Sequence, residues 1–187
     1  VTLDGFNEID SFVASSMIAR ALPGSSVAIA SPTAQVTSMN GVTVLRQLSI
    51  EDLPSADAVL VGSGIRTRDY AADPAFLASL TLDPTRQLVG AQCSGALLLA
   101  RMGLLDGVPV CTDLISKPWV IEAGVRVVDR PFAAAGNVAT AGGCLSSQYL
   151  AACVISLLPD VRTRRAAPPS GTPSRENDSD GTRAGSD

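Results

Sequence analysis

The sequence predicts a three-layer αβα protein built on a parallel sheet. Two observations predict it: short apolar runs alternate with segments of helical spacing along most of the chain, and small residues dominate. Hydrophobic residues make up 46% of the chain but aromatics only 4%, as expected where Ala, Val, Leu and Gly let helices pack closely on a sheet buried on both faces. A third observation joins the fold to chemistry. Val89 to Leu97 reads as a buried strand, a cysteine between small neighbours, then an apolar helix.

In chain order, Val1-Thr2-Leu3 reads as the last part of a strand, its start missing or trimmed, that runs into the loop Asp4–Asp10. Ser11 to Leu22 carries apolar residues near helical spacing and is stopped by Pro23-Gly24. A strand is expected at Val27 to Ala30. Asn40-Gly41, between β-prone residues, predicts a hairpin over Gln35 to Leu45. Strands follow at Asp57 to Val61 and Gln87 to Ala91, with helices around Pro74 to Leu80 and Ser94 to Met102. Beyond Gly107 the pattern predicts strands at Val108 to Thr112, Val125 to Val128 and Val138 to Thr140. It places helices around Pro118 to Ala123, stopped by Gly124, and from about Leu145 to Leu158.

Pro159 is expected to close the folded domain, 1–159. From Asp160 the composition turns to Pro, Ser, Gly, Thr and charged residues, so 160–187 is expected to be a disordered tail.

Composition also narrows function. The net charge is −4 and no basic stripe or helix-turn-helix pattern is present, which argues against nucleic-acid binding. Apolar stretches are interrupted short of the roughly 18–20 residues that span a bilayer, and no export signal opens the chain. Four cysteines without a CxxC pair favour a reducing compartment, with the cytoplasm as the default. The chain has no histidine. A Cys-His or Ser-His-Asp triad within one chain and a His-ligated zinc site are therefore excluded.

The segment Ala91-Gln92-Cys93-Ser94-Gly95 has the form of a nucleophile elbow. Small residues two before and two after the cysteine let the chain turn sharply and lift the thiol off the sheet. A helix N-terminus beneath the sulfur should lower its pKa and make Cys93 the most reactive of the four thiols. The bland alternative is an inert buried cysteine beside packing residues. Cys111 and Cys153 lie in apolar runs and read as core; Trp119 suits either a pocket mouth or a packing surface.

Four motifs in order, the Asp4-Gly5-Phe6-Asn7-Glu8-Ile9-Asp10 loop, Gly62-Ser63-Gly64, the A-x-C-x-G elbow and Thr140-Ala141-Gly142-Gly143, resemble the ThiJ/PfpI superfamily. The resemblance covers residues 1–158 and implies a flavodoxin-like, class I glutamine amidotransferase-like fold. It is nearest to the isonitrile hydratase and PfpI-like branch, which shares the D-G-x-x-x-x-D loop.

That likeness implies that an acidic residue of the first loop meets the elbow thiol. Asp10 matches this role, with Glu8 as competitor and a helix N-cap as the alternative use of Asp10. It implies an oxyanion hole from the N–H groups of Ser94 and Gly64, although Gly62-Ser63-Gly64 also reads as a plain strand-end turn. Thr112-Asp113 falls where many relatives carry Thr-His, and Gly143 belongs to a segment that approaches the thiol. Cys144 is either a pocket-wall residue or packing at a helix start. The absence of His disfavours protease and His-dependent glyoxalase or deglycase activities. What remains implied is hydration of a small electrophilic carbon such as an isonitrile, with no cofactor and no metal, in a homodimer; the alternative is a redox-responsive or protective protein that senses oxidants through Cys93.

Overall fold

The computed structural model describes residues 1–166. Strand β1 (Ala30–Ser31), the hairpin strands β2 (Gln35–Thr37) and β3 (Thr43–Leu45), and β4 (Leu48–Ser49) follow helix α1 (Glu8–Ala21). Next come β5 (Ala58–Val61), α2 (Thr67–Ala71), α3 (Pro74–Ser79), β6 (Leu88–Gln92) and α4 (Ala96–Arg101). The described part ends with α5 (Lys117–Glu122), β7 (Phe132–Ala135), β8 (Val138–Ala141) and α6 (Ser147–Ala166).

The main sheet has the order β5-β6-β8-β7. Its first three strands are parallel, and β7 is an antiparallel edge absent from the sequence expectations. Val1–Leu3 joins this sheet to the small parallel pair β1-β4: Thr2 N–H donates to Ala30 O at 2.8 Å and Gly62 N–H to Val1 O at 3.0 Å.

Side chains alternate across the sheet with the two-residue period of a strand. Val59, Val61, Val89 and Ala91 pack with α2, α3, α4 and α5 through Ala71, Phe76, Leu97, Leu99 and Val120. Ala58, Leu60 and Leu88 point the other way, against Ala14 and Ile18 of α1 and Ala151, Val154, Leu158 and Val161 of α6. Two helical layers enclose the sheet, as the alternating pattern predicts.

Several boundaries differ from the sequence expectations, each for a local reason. Helix α1 begins at Glu8, not Ser11, because the Asn7 side chain accepts from Ile9 N–H and caps it. Val108–Thr112 and Val125–Val128 reduce to a single bridge, Val110 with Val127. Pro109 has no N–H to donate, which limits a ladder there. Only Ala30 of the expected strand Val27–Ala30 enters a ladder; Val27 and Ala28 instead line a cavity of about 360 Å³ shared with Ala58, Leu60 and Val154.

Pro159 does not close the folded part. Helix α6 passes through it to Ala166, with Val161 buried at 2% exposure and Arg162 paired to Asp57 at 3.0 Å. The rest of the expected tail, 167–187, lies outside the described residues. The segment Cys144–Arg162 is also long and apolar enough to cross a membrane by length and composition, contrary to the sequence expectation. Its buried stripe of Leu150, Ala151, Val154, Leu158 and Val161 makes it a helix of the αβα layer.

Candidate active site

The elbow is built by backbone geometry. Cys93 has φ +52°, the one non-glycine residue with positive φ among those described, in a 3-10 turn between β6 and α4. A bulky residue held in this left-handed region costs on the order of 1–3 kcal/mol and persists only where its surroundings enforce it. Two contacts do so. Thr112 Oγ1 donates to Cys93 O at 2.9 Å, and Gly95 lies so close to the end of β5 that a Cβ would stand 2.6 Å from both Val61 O and Gly62 O. Gly95 is therefore the residue that lets α4 start against the Gly62–Gly64 loop. Thr112 is a brace for the elbow.

Around the Cys93 sulfur the structure gathers three groups. Its Sγ donates to Asp113 Oδ2 at 3.2 Å. A carboxylate oxygen of Asp10 and the sulfurs of Cys93 and Cys144 all lie within 4.8 Å of one another. One carboxylate and two sulfurs form a donor set that a thiophilic metal accepts, and they are the one such three-residue group among the described residues.

The two carboxylates sit in opposite environments. Asp10 is buried and accepts from Ser63 Oγ through Oδ2, while its buried Oδ1 has no partner. Burial outweighs the hydroxyl and raises its pKa to about 6. Asp113 is also partly buried, but backbone N–H groups of Ile115 and Ser116 donate to its Oδ1 at 2.9 and 3.0 Å. These bonds, with the one from Cys93, hold its carboxyl below the ordinary range despite burial. Glu8 faces elsewhere: it accepts from Ser38 Oγ and from Asn40 Nδ2, the latter at 2.9 Å, tying α1 to the hairpin loop. Asn7, not Asp10, is the N-cap.

The thiol departs from the sequence expectation. Burial, then the negative charge of Asp113, push the Cys93 thiol up, so it rests protonated and hydrogen-bonded to a carboxylate. The helix beneath it has only six residues, and its pull on the thiolate is too small to prevail against these two effects.

The remaining predicted residues play mixed parts. Ser94 Oγ accepts from Gly64 N–H at 3.2 Å and pairs with Thr67 Oγ1 at 2.9 Å. The Gly64 N–H expected in an oxyanion hole is thus engaged with Ser94, locking the glycine loop to the elbow. Gly143 is exposed, with its carbonyl accepting from Gln92 Nε2 at 2.9 Å. Trp119 is half-buried, and Arg68 lies over its ring at 4.3 Å. Cys111 is fully buried, and Cys153 packs beside Ala139, Ala141 and Leu150.

Two residues at the site were missed from sequence, Ser63 and Asn7. Asn7 donates through Nδ2 to Cys144 Sγ at 2.9 Å while capping α1 through Oδ1. Its N-cap position just before a helical run was a readable signal; Ser63, inside a glycine turn, gave none.

Comparison with known proteins agrees with the fold. The model of the DJ-1/PfpI family matches residues 1–156. A ThiJ/PfpI domain protein from Brachyspira murdochii has a similar fold, with TM-score 0.74 and 22% identity over 85% of this chain and 94% of its own. So does a cysteine-to-alanine mutant of a DJ-1 superfamily protein from Salmonella typhimurium, with TM-score 0.70 and 23% identity over 87% and 91%. DJ-1 of Schizosaccharomyces pombe gives TM-score 0.69 and 15% identity over 90% and 100%. No curated protein matches the chain. With the family model covering most of its length, and the elbow cysteine and layered sheet in place, the chain belongs to the DJ-1/PfpI family.

Proposed function

We propose that the chain is a cysteine-dependent hydratase acting on a small electrophilic carbon such as that of an isonitrile. The observation that supports it is the pair of unlike carboxyls beside one thiol: Asp113 held ionised, Asp10 titrating near neutral pH. Groups whose environments push their pKa values apart are the usual sign of divided acid and base roles.

In this reading Cys93 Sγ attacks the terminal carbon of the isonitrile as Asp113 takes the thiol proton across its 3.2 Å hydrogen bond. Asp10 in its protonated form delivers a proton to the adduct, giving a thioimidate and an Asp10 carboxylate. That carboxylate then deprotonates a water molecule that adds to the same carbon. Collapse breaks the C–S bond, and the sulfur recovers its proton from Asp113. The net change is addition of one water to give an N-substituted formamide.

An activity screen over isonitriles, dicarbonyls and amides with wild type and Cys93→Ala tests this. Formamide produced from isonitriles by wild type alone is the expected result. Turnover confined to another substrate class, or retained in Cys93→Ala, would overturn it.

A further inference from the structure

The proposed reaction uses Cys93 and leaves Cys144 without a part. Yet the two sulfurs lie within 4.8 Å of each other, while Cys111 and Cys153 lie outside this group. Cys144 is half-exposed and opens a short 3-10 turn directly after Gly143, which is exposed and has open space where a Cβ would stand. The Asn7 side-chain N–H points at Cys144 Sγ from 2.9 Å and fixes the position of that sulfur beside the elbow. Cys93 is buried, with its proton directed at Asp113.

We propose that Cys144 and Cys93 form a reversible disulfide when the protein meets a hydroperoxide, with Cys144 the sulfur that reacts first and Cys93 the one that closes the bond. Accessibility sets the order: Cys144 is half-buried and meets the oxidant, and the buried Cys93 waits beside it. The Cys144 sulfur attacks a peroxide oxygen and the O–O bond breaks. The leaving alkoxide takes up the thiol's proton, and Cys144 becomes a sulfenic acid. Cys93 Sγ then attacks Cys144 Sγ as Asp113 accepts the Cys93 proton; the S–O bond breaks and the departing hydroxide leaves as water with that proton. Two thiols lose two electrons, and one hydroperoxide becomes an alcohol and a water.

Closing the bond brings the sulfurs from their present separation to about 2 Å. Movement of the 144–146 turn supplies this: Leu145 is exposed, Cys144 and Ser146 are half-buried, and the Gln92 amide that holds the Gly143 carbonyl at 2.9 Å acts ahead of the turn. The disulfide withdraws the Cys93 nucleophile from substrate and a dithiol restores it. The inference rests on the proposed function only for the place of Cys93 in the site, not for turnover of any isonitrile.

The test is peptide mapping under non-reducing conditions after the protein is treated with hydrogen peroxide, with isonitrile hydration by the reduced protein measured alongside. The expected product is a Cys93–Cys144 linked peptide, two hydrogens lighter than the dithiol and reversed by dithiothreitol. In Cys93→Ser, Cys144 should stop at a sulfenic acid that a cyclic 1,3-diketone traps; in Cys144→Ser, Cys93 should remain alkylatable after denaturation. Linkage through Cys111 or Cys153, Cys93 carried to sulfinic acid with Cys144 still free, or four unchanged thiols in excess peroxide would each overturn the proposal. A disulfide formed by a protein inactive on isonitriles supports it and removes the hydratase reading alone.

Discussion

Asp10 and Asp113 flank the same sulfur, yet their surroundings give them opposite character. The Gly62–Gly64 loop offers Asp10 the Ser63 hydroxyl, and its other oxygen is buried without a hydrogen-bond partner; Asp113 accepts from two backbone amides of the 113–116 turn and from the Cys93 thiol. Burial alone therefore does not decide the charge of a carboxyl. The balance between depth of burial and the donors aimed at it does: Asp10 is buried where Asp113 is half-buried, and in the proposed reaction that difference separates a proton donor from a proton acceptor at one site.

The largest expected effect is from Asp10→Asn. It should lower turnover by about a hundredfold or more, because the amide keeps the shape but neither donates the proton nor activates water. The same variant sharpens the comparison through stability. A carboxyl raised to about 6 in the folded protein binds a proton that the unfolded chain has already lost above its ordinary value of 3.8. Its contribution is thus present below about pH 4 and lost as pH rises through 6, by about 3 kcal/mol at most. Asp10→Asn should remove this loss and gain relative stability between pH 4 and 7 in denaturant melts; unchanged pH dependence would show that Asp10 is not strained in its site.

Asp113→Asn should act in the opposite sense on the thiol. Removing the charge at 3.2 Å should lower the Cys93 pKa, seen as faster iodoacetamide alkylation near neutral pH, while turnover falls by roughly tenfold for want of a base. Slower alkylation would break the assignment of Asp113 as the group that holds the thiol protonated. Ser63→Ala is expected to be milder. Loss of the hydroxyl donor should raise the Asp10 pKa further and shift the alkaline limb of the pH–rate profile upward, with little loss at its maximum.

Glu8→Gln should change least, with turnover within about twofold, because Glu8 holds Ser38 and Asn40 rather than the site. A drop matching that of Asp10→Asn would reverse the choice between these two acids.

Much of this arrangement could be read from the chain because it depends on local pattern. The elbow was visible because Ala91 and Gly95 bracket Cys93 with the small residues the sharp turn requires. The place of Asp10 near the thiol comes from the likeness of its loop to the family's, but the thiol's hydrogen bond goes to Asp113 while Asp10 accepts from Ser63. The raised thiol pKa could not be read from the chain, because it depends on Asp113, twenty residues away and brought in by the turn after Thr112. Likewise Pro159 reads as a helix stop, but Val161 and Arg162 find a buried contact and an ion pair that carry α6 through it. Gly64 reads as an amide donor for substrate, whereas the Ser94 hydroxyl, across the elbow, occupies that N–H.

The measurement that tests the account most directly is a carbon-detected NMR titration of the side-chain carboxyls of Asp10 and Asp113 in the same sample. The account predicts that Asp10 titrates near pH 6 and Asp113 below the ordinary aspartate value. Equal midpoints, or Asp113 titrating above Asp10, would contradict the division of acid and base around Cys93.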